Sequence, residues 1–366
     1  DVDWMAIYDD RRWGFHATGL AAFRLDGELG KGSELRLLSH VAVPWTKNGP
    51  GERPGGILKV DGEHLYAGGV SFLPVIGEKA DMDEMEAVKP HPAILDSAFI
   101  NPDAPYPSCH AATLAETGDG TLVAAWFGGT RERHPDVGIW FARYEDGAWQ
   151  PAREVANGEW EDGERYPTWN PVLFQPTDGP LQLFYKVGPS PGSWWGMVMT
   201  SDDGGLTWNE PRELPEGILG PIKNKPVELA DGSWLSGSST EGDGWRLHFE
   251  RSTDRGRTWQ KIGPVEQNGF DSIQPGILVH GDGVLQALNR TKQGVLSTTW
   301  SHDGGLTWSP AEDSGLPNPG SGTDAVTLDS GVHLLVYNHS SPPPERPWKG
   351  VRYPLNIARS GDGKNW

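Results

Sequence analysis

The sequence predicts an all-β protein that folds as a six-bladed β-propeller. Three observations favour this fold: a turn motif that recurs along the chain, runs of alternating apolar residues before each copy, and a composition rich in turn formers. The 366 residues include 49 glycines and 31 prolines. No segment has the periodicity of an amphipathic helix of about 12 residues or more. Many short strands joined by tight turns are typical of propellers.

The recurring motif has the form Ser-x-Asp-x-Gly-x-Thr-Trp, and we name it the Asp box. The Asp carboxylate accepts hydrogen bonds from nearby backbone N–H groups, the Gly supplies a positive φ, and the Trp packs back on the turn. Successive copies begin 51, 49 and 59 residues apart. The four copies are residues 201–208, 252–259, 301–308 and the shortened 360–366, and a degenerate fifth copy is 144–149. Each box therefore predicts a hairpin turn near the end of a repeat unit.

Each repeat unit is expected to contain four strands. Alternating apolar residues precede the boxes, as at 181–185 and 284–288, and short Asp-Gly turns separate such runs. We expect residues 105–366 to form five Asp-box blades. Residues 1–104 are expected to add a further blade and the strand that closes the ring, so that the whole chain is a single catalytic domain. Five or seven blades, or a β-sandwich followed by a solenoid, are the alternatives.

Composition excludes several classes of protein and partner. The net charge is −19, from 31 Lys and Arg against 50 Asp and Glu, which disfavours nucleic acids and anionic membranes as partners. No run of about 18 apolar residues is present, so no transmembrane helix is expected. The single cysteine, Cys109, excludes an internal disulfide. No signal peptide pattern is visible, and the sequence leaves both the localisation and the oligomeric state open.

The blade repeat also predicts where a binding site lies. The innermost and second strands of a blade are antiparallel, so the start of the first and the end of the second meet at one face. These positions ring the mouth of the central channel, and the Asp boxes lie at the opposite face. Charged and imidazole side chains predicted at the mouth are His110, Lys186, Lys223, Lys225, Arg290, Asp324 and His339. Four of them are cationic in an anionic protein, which predicts an anionic ligand such as a carboxylate, unless the lysines only pair with acids there.

Other side chains at the same strand ends are candidates for contact with a sugar. They are Trp126, Trp169, Asn170, Gln274 and Asn338. Trp194 and Trp195 lie in a loop rich in Gly, Pro and Ser, where they either stack on a sugar or anchor the loop. Alternation along the first inner strand points Cys109 and His110 to opposite faces, so we expect Cys109 to be a buried thiol.

The Asp boxes resemble those of the sialidase (neuraminidase) superfamily, whose members are often named BNR-repeat proteins. The resemblance covers about residues 105–366. Sialidases hold the carboxylate of the substrate with three arginines, and the resemblance implies that Arg290 and Arg352 are two of them. It also implies that Asp136 is the acid/base residue. The position of the first arginine is occupied here by His110, and the glutamate that partners the nucleophilic tyrosine corresponds to Gln274; that tyrosine normally follows the last box, where this chain ends.

Three functions are compatible with these residues. The first is an exo-acting glycoside hydrolase for an acidic sugar, with Asp136 as general acid/base and Asp324 or Glu241 as the second carboxylate. The second is a lyase acting on uronate polysaccharides, in which His110 is the base, together with Tyr185 or His339. The third is a propeller that binds a sugar without catalysis. Neither a phosphate-binding loop nor metal-ligand spacing is found, so we expect a carbohydrate partner and no metal or cofactor.

Overall fold

The structure is a computed structural model of the chain. It describes residues 98–366 except 161, 162, 347, 353 and 354, together with the backbone of four earlier strands. Those four strands are β1 (Ala17–Asp26), β2 (Glu34–Pro44), β3 (Ile57–Asp61) and β4 (His64–Ser71). They form one antiparallel sheet in the order β2-β1-β4-β3.

The remaining described strands form five antiparallel sheets, which are the blades of a propeller. Blade 1 contains β5 (Ser108–Glu116), β6 (Leu122–Gly129), β7 (Gly138–Glu145), β8 (Ala148–Trp149) and β9 (Arg153–Ala156). Blade 2 contains β10 (Thr168–Phe174), β11 (Leu181–Val187), β12 (Trp195–Ser201) and β13 (Arg212–Glu213). Blade 3 contains β14 (Val227–Glu228), β15 (Trp234–Thr240), β16 (Arg246–Ser252) and β17 (Gln260–Ile262).

Blades 4 and 5 complete the Asp-box repeat. Blade 4 contains β18 (Ser272–Val279), β19 (Leu285–Thr291), β20 (Val295–Ser301) and β21 (Glu312–Pro317). Blade 5 contains β22 (Asp324–Thr327), β23 (His333–Tyr337) and β24 (Asn356–Ser360). The prediction of an all-β propeller with one Asp-box unit per blade is confirmed. In the described part of the chain, no helix has the length and apolar character needed to cross a membrane.

The predicted number of blades is corrected from six to five. The repeat after residue 98 yields five blades, and strands β1 to β4 pair only with one another. None of these four strands joins the edge of blade 5, which has three strands among the described residues. The assignment of residues 1–104 as the segment that completes the ring stays a prediction.

The Asp boxes form the turns that the sequence predicts. In the box of blade 3, Asp254 accepts hydrogen bonds from the backbone N–H and the hydroxyl of Thr258, at 2.8 and 2.6 Å. The hydroxyl of Ser252 accepts from the N–H of Gly256 at 2.7 Å and donates to Asp254 at 2.9 Å. The boxes of blades 2 and 4 repeat these contacts. Each box is therefore a closed hydrogen-bonded turn.

In the boxes of blades 2, 3 and 4, the tryptophan packs against the preceding blade rather than only on its own turn. Trp208 contacts Phe141 edge-on at 5.3 Å between ring centroids, and Trp308 stacks on Phe249 at 3.7 Å. Gly205, three residues before Trp208 in the same box, has φ +90°, and an added Cβ there would lie 2.2 Å from the ring of Phe141. The boxes thus join neighbouring blades and hold the ring together from the face opposite the site.

Removal of a box carboxylate is expected to destabilise the propeller. Asp254→Ala should lower the free energy of unfolding by about 1–2 kcal/mol, because several hydrogen bonds to a charged acceptor are lost. Hydrogen bonds from Thr258 lower the pKa of Asp254 to about 2, so its contribution is present above its unfolded-state pKa and is lost as the pH falls toward 2. Urea unfolding of the variant at pH 7 and pH 3 measures both effects. Thr253→Ala, in an exposed position of the same box, is the control; an equal loss in that variant would contradict the prediction.

Candidate functional site

A β-bulge recurs on the innermost strands at the mouth of the channel. The register of β5, β10 and β18 is interrupted at the same point of each strand. Each interruption contains one residue with positive φ: Ala111 at 52°, Asn170 at 40° and Gln274 at 57°. A bulge redirects side chains, and such backbone conformations in residues other than Gly are concentrated at functional sites. Because the bulge recurs at the same position in three blades, it is a regular feature of this end of the channel.

Two cations flank one aromatic side chain beside the bulge of blade 4. The guanidinium carbon of Arg290 lies 5.0 Å from the centroid of the Trp245 ring, and the Nζ of Lys292 lies 4.8 Å from it. The Nη1 of Arg290 also donates to Gln274 Oε1 at 3.4 Å. Cation–π contacts of this kind fix the position of a guanidinium while leaving its donors able to bind an anion.

Glu241 lies against this cationic group, directly after β15. Burial raises the pKa of the Glu241 carboxyl above its usual range, although the charges of Arg290 and Lys292 act in the opposite direction. The indole N–H of Trp245 donates to the same carboxyl. The charge of Arg133, from the loop between β6 and β7, also acts on Glu241. The enclosure of this carboxyl therefore favours its protonated form more than the surrounding cations oppose it.

Lys223 and Lys225 reach across the channel from blade 3 to blade 5. Lys225 Nζ lies 3.1 Å from Asp324 Oδ2, in a pair whose side chains are largely buried. Lys223 Nζ donates to the carbonyl of Thr323 at 2.8 Å and to Asn224 Oδ1 at 2.9 Å. Burial, helped by the charges of Lys225 and Arg290, lowers the pKa of Lys223 to about 8, although the charge of Asp324 acts in the opposite direction. The alternative in which the mouth lysines pair with acids is therefore correct for Lys225, and Asp324 is held in an ion pair.

Arg352 is fixed near the chain segment of Arg290. Its Nη2 donates to the carbonyl of Gly320 at 3.0 Å, and a Cβ added to Gly320 would lie 3.7 Å from the carbonyl oxygen of Thr291. Asn338 donates to the carbonyl of Arg352 at 2.8 Å. Arg352 therefore contacts a segment of blade 5 that lies beside the end of β19, the strand that carries Arg290.

His339 follows β23 on the same side of the mouth. Its Nδ1 is hydrogen bonded to the hydroxyl of Tyr337, and its backbone N–H donates to Asn356 Oδ1 at 3.0 Å. Burial lowers the pKa of His339, so the imidazole is neutral at physiological pH.

Asp136 lies on the blade 1 side of the mouth, in the loop between β6 and β7. Its carboxylate accepts from the backbone N–H of Thr130 at 3.0 Å and from the Thr130 hydroxyl at 2.5 Å, and it lies 2.7 Å from His134 Nδ1. Burial by itself would raise the pKa of Asp136, but these hydrogen bonds together hold it below its usual range. The group is therefore an anion at neutral pH, which suits a base or a nucleophile better than an acid.

His110 and Cys109 point to opposite sides of blade 1. The ring of His110 contacts Phe127 edge-on at 5.5 Å between centroids. Cys109 is buried in a separate cluster with Trp126 and Leu114. The prediction of a buried thiol is confirmed.

Three residues predicted to bind substrate are buried inside the blades. Lys186 has no exposed surface, and its Nζ donates to the carbonyl of Pro221 at 2.9 Å; burial lowers its pKa to about 7. Trp126 and Trp169 are 2% and 1% exposed, and their indole N–H groups donate to Tyr106 and to Gly188. These assignments are corrected, because residues on the faces of a blade pack against its neighbours rather than at the mouth.

The aromatic loop before β12 is an anchor. Trp194 is buried against Trp169 at 5.8 Å between centroids. Trp195 packs against Trp160 at 4.9 Å and Tyr166 at 5.4 Å. Both indoles contact other aromatic rings of blades 1 and 2, which favours the anchoring interpretation.

Three further residues of the mouth were missed by the sequence analysis. Trp245 and Lys292 surround Arg290, and Trp348 is 53% exposed in the loop before Arg352. Both tryptophans lie outside the Asp boxes and next to predicted strand ends, and this position in the sequence could have identified them as candidates. Asn170 is half-buried at its bulge, and its contact with a sugar stays a prediction.

The comparisons with known proteins agree with this architecture. The family model described as the BNR repeat-like domain matches residues 120–366. The Hadza microbial sialidase Hz136 is 14% identical, with a TM-score of 0.63 over 100% of this chain and 86% of that chain. A protein of unknown function from Dyadobacter fermentans is 20% identical, with a TM-score of 0.54 over 68% of this chain and 77% of that one.

A third solved structure is the NanB sialidase of Streptococcus pneumoniae, which is 13% identical with a TM-score of 0.54, over 76% of this chain and 64% of that chain. No curated protein matches the sequence. At these identities the solved structures establish the fold, and the family match extends over most of the chain. The chain belongs to the BNR repeat-like domain family and has the propeller fold of the sialidases.

Proposed function

We propose that the protein is a glycoside hydrolase that removes an acidic, carboxylate-bearing sugar from the end of a glycan. The observation that carries this proposal is the cationic group of Arg290 and Lys292 around Trp245, whose charges act on an enclosed carboxyl of raised pKa, that of Glu241. A guanidinium is the preferred partner of a carboxylate, and a protonated carboxylic acid beside it can donate to a glycosidic oxygen.

Each group has a distinct role in this proposal. Arg290 binds the carboxylate of the sugar with a bidentate pair of hydrogen bonds, and Arg352 and Lys223 add positive charge around it. Glu241 is the general acid that protonates the leaving oxygen. Asp136, which stays anionic, is the base or nucleophile on the other side of the bond, since hydrolysis of a glycoside uses two carboxyl groups in different protonation states.

This distribution differs from the expectation drawn from the sequence. There, Asp136 is the general acid/base, and Asp324 or Glu241 is the second carboxylate. The hydrogen bonds of Asp136 favour its anion, and Asp324 is paired with Lys225. Burial favours the protonated form of Glu241, which is the form that an acid catalyst needs.

The proposal is tested by product analysis. The purified protein is incubated with aryl glycosides of acidic and neutral sugars, and with oligosaccharides that end in an acidic sugar. We expect release of a free reducing sugar from the acidic substrates and little from the neutral ones. Binding of the acidic sugar without release, in a protein shown to be folded, would instead identify a carbohydrate-binding propeller.

A second candidate function is a lyase acting on uronate-containing polysaccharides. It is favoured by one observation, that an imidazole, His110, stands at the bulge of β5 where the sialidase pattern has an arginine. In a lyase His110 removes the proton next to the carboxylate while Arg290 neutralises that carboxylate. The product then has an unsaturated bond that absorbs in the ultraviolet.

His110→Gln separates the two functions. In a lyase it should lower turnover by roughly 10²–10⁴-fold, because Gln keeps a hydrogen-bond donor but cannot transfer a proton. In a hydrolase that depends on Glu241 and Asp136, we expect a change of less than about tenfold. The measurement is the rate of formation of ultraviolet-absorbing product against that of reducing sugar, with the melting temperature as the control for folding.

A further inference from the structure

The stretch of chain between β13 and β14 carries two lysines to the mouth of the channel, and we name residues 219–225 the channel segment. The structure describes all of these residues, and none of them lies in a helix or a strand. The backbone N–H of Ile222 donates to the carbonyl of Gly237, in β15, at 3.3 Å. Because no strand ladder runs along the segment, side chains of neighbouring elements must pair with its buried backbone groups.

A buried carboxylate binds the beginning of the channel segment. Glu250, in β16, has no exposed surface. Its Oε1 accepts from the backbone N–H of Leu219 at 2.9 Å, and its Oε2 accepts from the N–H of Gly220 at 2.6 Å. Nε2 of His248, a residue that is 1% exposed, also lies 2.9 Å from Oε1. Both carboxylate oxygens are therefore engaged, and charge-assisted hydrogen bonds hold two consecutive peptide groups.

A buried cation from blade 2 binds the next residue of the channel segment. Lys186, in β11, donates from Nζ to the carbonyl of Pro221 at 2.9 Å. Burial lowers the pKa of Lys186, and the charge of Glu250 acts in the opposite direction. Burial of two opposite charges adds little net stability, because their desolvation offsets their attraction. The contacts instead specify the geometry of residues 219–221.

The other end of the channel segment contacts blades 4 and 5. The side-chain amide of Asn224 donates to the carbonyl of Gln274, at the bulge of β18, at 3.1 Å. The two lysines of the segment reach the blade 5 side of the mouth. Besides burial, the charge of Arg290 lowers the pKa of Lys223, so these two cations lie within electrostatic reach of each other. The anchored end of the segment therefore determines where two ammonium groups lie in the mouth.

We propose that Glu250 is a positioning residue for the anion site, which fixes Lys223 and Lys225 at the mouth by holding the start of the channel segment. Lys186 is its charge partner in this role. The inference rests on the proposed function, because it assigns the fixed lysines to the binding of the sugar carboxylate. Glu250 itself is enclosed between blades 2 and 3 and does not contact the sugar. The affinity for an acidic sugar should then depend on a carboxylate that the sugar cannot reach.

The first measurement needs no ligand. Amide hydrogen exchange of the whole protein is followed by mass spectrometry in the wild type and in Glu250→Gln. Gln keeps the volume of the side chain but offers one uncharged oxygen to two N–H donors. We expect exchange in peptides that span the channel segment to become faster by roughly tenfold or more, as for a lost hydrogen bond to a charged acceptor. Exchange in β23 of blade 5 should stay unchanged. Unchanged exchange of the channel segment would overturn the proposal.

The second measurement is isothermal titration with two acidic probes, the methyl glycosides of glucuronic acid and of N-acetylneuraminic acid. Glu250→Gln should weaken binding by roughly tenfold, because the cations of the channel segment are no longer held in place. Glu216→Gln, which removes an exposed carboxylate shortly before the segment, is the matched control and should bind like the wild type. Wild-type affinity in Glu250→Gln would contradict the proposal.

A double variant separates positioning from charge balance. Removal of the Glu250 charge alone leaves Lys186 buried without a nearby negative charge, which by itself destabilises a fold. Lys186→Met/Glu250→Gln removes both charges, so it remains informative if the single variant does not fold. We expect its melting temperature to recover but its binding of the acidic probes to stay weak. Wild-type binding by the double variant would show that Glu250 only balances the charge of Lys186, and it would overturn the inference.

The outcomes separate this inference from the proposed function. If Glu250→Gln accelerates exchange only in the channel segment and the wild type binds neither probe, Glu250 holds the segment and the proposed acidic-sugar site fails. If the wild type binds a probe and Glu250→Gln binds it equally well, the site at the mouth stands and the positioning role is wrong. If exchange accelerates in all blades alike, Glu250 supports the fold as a whole, and the positioning role is again wrong.

Discussion

Glu241→Gln should lower turnover of an acidic glycoside by roughly 10²–10⁴-fold, the range typical of a lost general acid or base. Gln keeps the volume and the hydrogen-bonding capacity of the side chain but cannot transfer a proton. The loss should be smaller for substrates with strongly acidic leaving groups, such as dinitrophenyl glycosides, because such leaving groups depart without protonation. A purely structural role of Glu241 would instead affect all leaving groups equally.

The pH dependence follows from the raised pKa of the Glu241 carboxyl. A general acid acts in its protonated form, so the kcat/KM of the wild type should fall as the pH rises through that pKa. This alkaline decline should be absent in Glu241→Gln. Glu216→Gln, an exposed position outside the mouth, should keep both the rate and the profile of the wild type.

Stability gives an independent check on the environment of Glu241. A carboxyl whose folded-state pKa is raised favours folding below its unfolded pKa, and this contribution is lost as the pH rises through the folded pKa. At pH 7 the Gln variant should therefore be as stable as the wild type or more so. A lower melting temperature at pH 7 would show that the carboxylate stabilises the fold, and it would contradict the assignment of an acid catalyst.

The fold could be predicted because its determinants are local. Each Asp box contains its own donors and acceptors, as in the contacts of Asp254 with Thr258, so the sequence of one turn specifies the turn. The number of blades was not predictable in the same way. The segment before residue 98 has no Asp box, and one of its strand pairs, β1 with β4, joins residues that are far apart in the sequence.

The site could be predicted only in outline. Strand order placed Arg290 and Asp324 at the mouth, but it could not show which face of a strand meets a neighbouring blade. Lys186 was misassigned for this reason, since it lies one residue from Tyr185 and points into a blade interface. Trp245 was missed because a contact between two blades has no signature in either segment.

Arg290→Lys should weaken binding of an acidic sugar by roughly 10–100-fold. The bidentate pair of hydrogen bonds that a guanidinium makes with a carboxylate cannot be formed by an ammonium, and hydrogen bonds to charged groups contribute about 1.5–3 kcal/mol. Isothermal titration with the free acidic sugar measures the change. Arg257→Lys, in an exposed position of an Asp box, is the control and should bind like the wild type.

Arg290→Gln tests the electrostatic link between the anion site and the acid. Lys keeps the positive charge, whereas Gln removes a charge that lowers the pKa of Glu241. The alkaline limb of kcat/KM should therefore move to higher pH in Arg290→Gln and stay close to its wild-type position in Arg290→Lys, while both variants bind the acidic sugar weakly. If the limb stays in place in Arg290→Gln although binding is lost, the titrating group is not next to Arg290, and the general acid must be sought on the blade 1 side of the mouth, at Asp136 or His110.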